Sequence, residues 1–347
     1  MNIIKAISDK TAPPPIIAEL SGNHNNKIEI AKSVIKALSK AGGSFLKIQT
    51  YTPDSLTLNC EKEHFIVRTP NNNWNGRTLY SLYTEAALPM EWHEEILQYA
   101  NSFNISVFSS IFATKDLDFC ENLGISAYKI ASQECIHYEL LKEVASTNKP
   151  IILSTGMASI GEIEDALNVI NSNGKSEVVL MKCTSSYPAD PRDTNILSIP
   201  LLRQLFDLPV GFSDHTTGIG TAIAAISHGA RCVEKHICCS TENTGIDGDF
   251  SVNEFVFEQL ILETKNAFNS LGTPTFEATK SELPYFSGRR SVFATKDIMV
   301  GQKLTRENTA VIRPNTGLHP KFYETVLGMQ TVTNVEKGTP INWSIVK

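Results

Sequence analysis

Long apolar runs are missing from this 347-residue chain. None approaches the roughly 20 residues that a membrane-crossing helix needs. The opening "MNIIKAISDKTAPPP" turns polar too soon to serve as a secretory signal. Blocks of like charge are missing too. The formal net charge is -6, from 31 Lys and Arg against 37 Asp and Glu. That spread excludes a general nucleic-acid binder and leaves an anionic ligand dependent on a local cluster of cations. There is no Cys-x-x-Cys pair, and the seven cysteines are odd in number. Neither a disulfide framework nor a zinc knuckle is indicated, and a cytosolic protein is expected. The vicinal Cys238 and Cys239 read as packing residues, because neighbours on a strand face opposite sides.

What the chain does contain is a rhythm. Eight short runs rich in branched residues read as strands: 15–21, 45–50, 105–110, 127–132, 151–156, 178–184, 210–215 and 232–237. Amphipathic stretches lie between them. "IEIAKSVIKALSKAG" and "GEIEDALNVINSNG" both end in glycine, a common helix stop. Eight strands, each followed by a helix, predict an α/β protein with a (β/α)8 TIM barrel. The alternative is a doubly wound open sheet, but no Gly-x-Gly-x-x-Gly follows the first strand. The connection from Tyr51 to Leu79 is long for such a unit and reads as a binding loop or lid. The rhythm changes near residue 272. The reading is therefore a barrel over 1–272, a linker over 273–288 and a small β-rich domain over 289–347, built from pieces such as "SVFATKDI", "QKLT" and "TAVIRP".

In a barrel, chemistry gathers at the C-terminal ends of the strands, and residues i and i+2 share a face. The strand ends carry Glu19, Lys47 with Gln49, Ser109 or Ser110, Lys129 with Ser132, Ser154, Lys182 with Thr184, Ser213 with His215, and Glu234 with His236. Lys47 and Lys129 sit within apolar runs, so each should meet an anion, whether a substrate or a carboxylate such as Glu19. Serines in these places are helix caps or ligand hydroxyls, and the two roles are compatible. Two histidines at equal depth on adjacent strands can share one divalent ion and leave positions open on it, although imidazole does not separate Mn from Zn, Fe or Co. Lys235 and Asp214 point the other way and read as structural. Asp247, in a Gly-rich loop, serves a hydroxylated substrate or an Asx turn equally well. Together these residues suggest a phosphorylated anion held by lysines and hydroxyls. A metal polarises a second, carbonyl substrate, and carboxylates move protons, as in an aldol-like condensation.

The motifs "IIAELSGNHN", "KIQTYTPDSLTL", "YKIASQE", "LSTGMAS", "KCTSSYPAD", "GFSDHTTG" and "EKHI" follow the order and spacing of the sialic acid synthase family, and residues 288–328 resemble its antifreeze-like (SAF) domain. Within that family the pattern is most similar to the pseudaminic acid synthase branch. The N-acetylneuraminate and legionaminic acid branches are the alternatives. The resemblance implies a barrel plus SAF domain in a domain-swapped homodimer, condensing phosphoenolpyruvate with an open-chain acylamino sugar. It implies that Lys47, Ser110, Lys129, Ser132, Ser154 and Ser213 bind phosphoenolpyruvate. His215 and His236 would hold the metal, Mn2+ first with Mg2+ or Co2+ as alternatives, and Glu19 would assist proton transfer. Gln49, Tyr187 and Asp247 would contact the sugar, joined by Arg313 from the partner's SAF domain. Ser185 stands where the N-acetylneuraminate branch tends to carry Asn, so no contact is carried over there.

Overall fold

The structure is a computed structural model that describes residues 2–69, 74–239 and 245–347. The chain divides into two compact units, Met1–Gly272 and Thr273–Lys347. In the first unit all eight expected runs form strands: β1 Ile16–Glu19, β2 Phe45–Thr50, β3 Ser106–Ile111, β4 Tyr128–Ile130, β5 Ile151–Ser154, β6 Val178–Cys183, β7 Val210–Asp214 and β8 Val233–Cys238. They pair in parallel in chain order, and β1 also pairs with β8, so the sheet closes into a barrel. Closure explains the nearly unbroken apolar runs, since a parallel strand in a barrel is buried on both faces.

The helices form for ordinary reasons. In Ile28–Lys40 the buried residues Ala31, Val34, Ile35 and Leu38 recur at helical spacing, and the stripe packs on the outside of the sheet. Gly42 then takes a left-handed backbone (φ 78°), which ends the helix. Ile160–Asn173 begins at a capping box in which Ser159 accepts from the Glu162 amide and Glu162 reaches back to Ser159.

The barrel interior has two levels. Towards the N-terminal ends of the strands, Ile17, Phe45, Phe108, Ile152, Val179 and Met181 form a dry plug. The opening segment completes it. Ile3–Ser8 is a helix whose Ile3, Ile4 and Ile7 join this inner cluster, while Arg231 donates to the Ile7 carbonyl at 3.0 Å. A stretch that reads in the sequence only as unsuited to secretion therefore closes the bottom of the barrel. The other level, at the C-terminal ends, is polar.

The long connection after β2 is broken into a short helix, Pro53–Leu56, and a bridge between Ile66 and Thr78. Residues 70–73 of it lie outside the described residues. In the second unit, β9 Val252–Asn253 having closed the first, β10 Ser291–Ala294 and β11 Thr309–Ile312 pair antiparallel around Val292, Ile298, Leu304, Val326, Val335 and Ile341. The other expected strand pieces make only isolated bridges, such as Lys303 with Gln330 and Ile298 with Val335. Residues 273–288 are exposed throughout.

Candidate active site

Strand register brings the polar ends to one level. Glu19 stands opposite both Lys47 and His236, Gln49 opposite Ser110, Ser110 opposite Lys129, and Ser213 opposite Glu234. Above them lies a cavity of about 590 Å³, lined on its polar side by Lys47, Ser110, Lys129, Ser132, Ser154, Ser213, His215 and His236.

Both lysines are buried and paired. Lys47 Nζ lies 2.8 Å from Glu19 Oε2 and 3.6 Å from Glu234 Oε1, and it donates to Ser110 Oγ at 2.9 Å. Lys129 Nζ lies 2.7 Å from Glu234 Oε2, and Ser213 Oγ donates to Glu234 Oε1 at 3.2 Å. Burial alone would raise the Glu234 carboxyl, but Lys129 and Lys47 outweigh it and hold its pKa at about 2. Glu19 goes the other way. Its complete burial and the charge of Glu234 push its pKa above the ordinary value, against the pull of Lys47. For Lys47 burial is outweighed by the two carboxylates, which keep the ammonium charged. The carboxylate partner considered for one lysine thus exists for both. Glu234, noted in the sequence only as a strand end, is the hub.

Glu19 is not part of the cavity lining. It lies beneath it and reaches the site through Lys47 and through Gln49, whose amide donates to Glu19 Oε1 at 2.7 Å and to Ser21 Oγ at 3.0 Å. Asp247 is buried, and among the described residues its carboxylate finds its partners on the segment after β1 and not in its own loop. It accepts from Ser21 Oγ and, at 3.1 Å, from the Gly22 amide, which ties the ends of β1 and β8 together beside the cavity. Tyr187 lines the cavity with its ring 4.4 Å from that of His215. Gly156 belongs to the "LSTGMAS" segment. A side chain there would collide with the hydroxyls of Ser132 and Ser185, and its amide donates to Ser132 Oγ at 3.1 Å. Arg313 is exposed on the second unit, just after β11.

The two histidines stand with ring centroids 5.3 Å apart. His215 Nδ1 lies 3.0 Å from the Thr184 carbonyl, which directs its proton there and leaves Nε2 as the lone-pair nitrogen. Around His215, burial is outweighed by Cys183 and Thr184, and its pKa is raised. His236 is held neutral. Burial, then His215 and the nearby lysines, drive its pKa well below the ordinary imidazole value, and its buried Nδ1 has no hydrogen-bond partner. Among the described residues no group of three or more His, Cys, Asp or Glu side chains could hold an ion. Two imidazoles with an unsatisfied buried nitrogen fit an ion whose other positions go to water or substrate.

The expectation for the sixth strand is corrected. Cys183 and Ser185 line the cavity, while Lys182 and Thr184 face away; Lys182 Nζ donates to the Cys183 carbonyl at 2.9 Å. Cys183 pairs with Ser213 in register, and the alternation follows from that. The uniformly apolar run carries no sign of which parity faces in. Lys235 is structural as expected, buried against Asp214 at 2.9 Å. Cys238 is buried and Cys239 half-buried, both free thiols. One residue escapes sequence reasoning altogether. Glu134 lines the cavity, its Oε2 is buried without a partner, and burial pushes its pKa up to about 7. It sits in a 3-10 turn after β4, where no periodicity marks it.

Known proteins share this architecture. The NeuB family pattern matches residues 34–275, and the SAF domain pattern matches residues 289–347. A pseudaminic acid synthase of Helicobacter pylori is 37% identical over 95% of this chain and 97% of its own length. One from Campylobacter jejuni subsp. jejuni serotype O:23/36 is 38% identical over 95% of each. The crystal structure of an N-acetylneuraminic acid (sialic acid) synthetase from Leptospira borgpetersenii in complex with citrate superposes with a TM-score of 0.69 and 28% identity, covering 79% of this chain and 90% of that one. On sequence and fold alike, the chain belongs to the NeuB family.

Proposed function

We propose that the protein is a pseudaminic acid synthase. It condenses phosphoenolpyruvate with 2,4-diacetamido-2,4,6-trideoxy-L-altrose, giving pseudaminic acid and phosphate. The observation that carries this reading is the single cavity in which Lys47 and Lys129, with four serines, face His215 and His236. The choice of sugar rests on relatives of that name at 37% and 38% identity. N-acetylneuraminate or legionaminic acid synthesis is the alternative.

In this reading the lysines receive the carboxylate and phosphate of phosphoenolpyruvate, and Ser110, Ser132, Ser154 and Ser213 donate to their oxygens. Both ammonium groups are set in place beforehand by Glu19 and Glu234, so little reorganisation is needed when the anion arrives. The enol carbon attacks the sugar's aldehyde carbon and a C–C bond forms. The positive charge left on the carbon that bears phosphate is met by water, and phosphate departs with C–O cleavage. Glu19, raised in pKa beneath Lys47, is suited to take up or return a proton at its carboxyl. His215 and His236 would hold a divalent ion, Mn2+ first with Mg2+ or Co2+ as alternatives, which supplies Lewis-acid polarisation of the aldehyde. Gln49, Tyr187 and Asp247 would lie along the sugar. Arg313 would contact its acylamino end in a homodimer, and the enzyme would work in the cytoplasm.

The test is phosphate release with phosphoenolpyruvate, Mn2+ and one sugar at a time: the altrose derivative, N-acetylmannosamine or the legionaminic precursor. Release is expected with the altrose sugar and is lost on adding EDTA. His236→Ala should lower it at least about 100-fold with an unchanged circular dichroism spectrum. Release with another sugar moves the assignment to that branch, and near-normal turnover in His236→Ala refutes the metal role.

A further inference from the structure

The cavity has two chemically different sides. Besides the lysines and serines, the cavity is lined by an apolar wall of Val67, Trp74, Leu79, Leu82, Ala86 and Ile246. They form one cluster, with Val67, Leu82 and Ile246 each no more than 8% exposed. Three separate segments build it. The connection after β2 supplies Val67 and Trp74, held together where the Val67 amide donates to the Arg77 carbonyl at 2.8 Å and Gly76 returns to the Val67 carbonyl at 2.9 Å. The helix Leu79–Ala86 supplies the next three. The loop after β8 supplies Ile246, whose carbonyl accepts the Trp74 indole N–H at 3.0 Å. That bond commits the wall's indole donor to the protein itself. The wall adjoins the histidines through rings in contact: Trp74 lies 5.5 Å from Tyr187, and Tyr187 lies 4.4 Å from His215.

A chain whose aldehyde lies at the histidines can run its far end along this wall. A terminal hydroxymethyl group would have to leave water there and find an apolar surface, whereas a terminal methyl group gains by burial. We infer that this wall is the specificity determinant that selects a methyl-terminated, 6-deoxy acylamino sugar over its 6-hydroxylated counterpart. The inference rests on the condensation reading above and assigns the element that chooses among its possible sugars. An apolar pocket rejects an added hydroxyl only moderately, so the preference in kcat/KM should be about 10- to 100-fold.

The experiment compares two acylamino sugars that differ only at the terminal carbon, CH3 or CH2OH, by phosphate release with phosphoenolpyruvate. Wild type is measured beside Val67→Thr, Leu82→Asn and Ile246→Thr, each checked by thermal melting. Val67→Thr is nearly isosteric, and Ile246→Thr lies on a different segment, so a folding failure at one site leaves the other to decide. The expected result is a wild-type preference for the methyl sugar that shrinks about 10-fold in the polar variants, with most of the change in KM. Leu82→Met, which keeps the wall apolar, should retain the preference. A wild-type preference that survives all folded polar variants, or a preference for the hydroxylated sugar, overturns the inference alone. No phosphate release by wild type with any acylamino sugar overturns the condensation reading, and the inference with it.

Discussion

The residues of the site are arranged in opposed pairs. Lys129 lies against Glu234 and, with Lys47, holds that carboxyl ionised, while Lys47 stands between Glu19 and Glu234, which keep its own ammonium charged. Glu134 has no such partner for Oε2, and the cost should appear in the pH dependence of folding. Its pKa is raised by burial from 4.5 to about 7. A raised carboxyl pKa means that the folded protein holds a proton which the unfolded chain has lost. Stability should therefore fall as pH climbs through this window, by roughly 3 kcal/mol once pH is above 7. Glu134→Gln removes the titrating group. The variant should melt close to wild type at pH 5 and clearly above it at pH 8. An equal difference in Tm at both pH values would show that this carboxyl carries no such penalty. Glu134 was not legible beforehand because its environment is made by distant segments. Its Glu-after-Ser position in "YKIASQE" looks like any helix cap.

At the scale of elements, each strand and helix follows from its own residues, but its partners do not. The apolar runs located all eight barrel strands, and the spacing of Ala31, Val34, Ile35 and Leu38 located a helix. The inward parity of β6 is not legible in its residues, since Lys182 and Cys183 are equally plausible until the register sets Cys183 beside Ser213. The N-terminal helix carries no such signal, because its six residues hold too little periodicity to be read. Its contribution is measurable. Ile7 is fully buried in the inner cluster, so Ile7→Ala should destabilise the protein by about 2–4 kcal/mol in urea unfolding. The active site lies at the opposite ends of the strands. Phosphate release per folded molecule should therefore stay close to wild type, and a large loss of turnover at unchanged stability would contradict this division of the barrel into plug and site.

For the whole molecule, the expected homodimer gives the remaining prediction. The 38.2 kDa chain should sediment at about twice its mass. A chain ending before Leu283 should keep the secondary structure of the barrel unit Met1–Gly272 and lose most of its activity. Full activity in that truncated protein would rule out a catalytic part for the SAF domain and for Arg313. No helix among the described residues is long and apolar enough to cross a membrane.

By itself the sequence determined the eight barrel strands, the change of pattern near residue 272 and the chemical inventory of the strand ends, because these depend on local periodicity and on residue types a few positions apart. Only the tertiary structure decided that Glu234 is shared between two lysines, that Glu19 lies beneath the cavity, and that Val67, Leu82 and Ile246 form one wall. The physical reason is one of distance along the chain. Glu234 and Lys129 are 105 residues apart, and Trp74 and the Ile246 carbonyl are 172 apart. Such pairs meet because a closed parallel sheet gathers the C-terminal ends of all its strands, with the loops that follow them, around one rim.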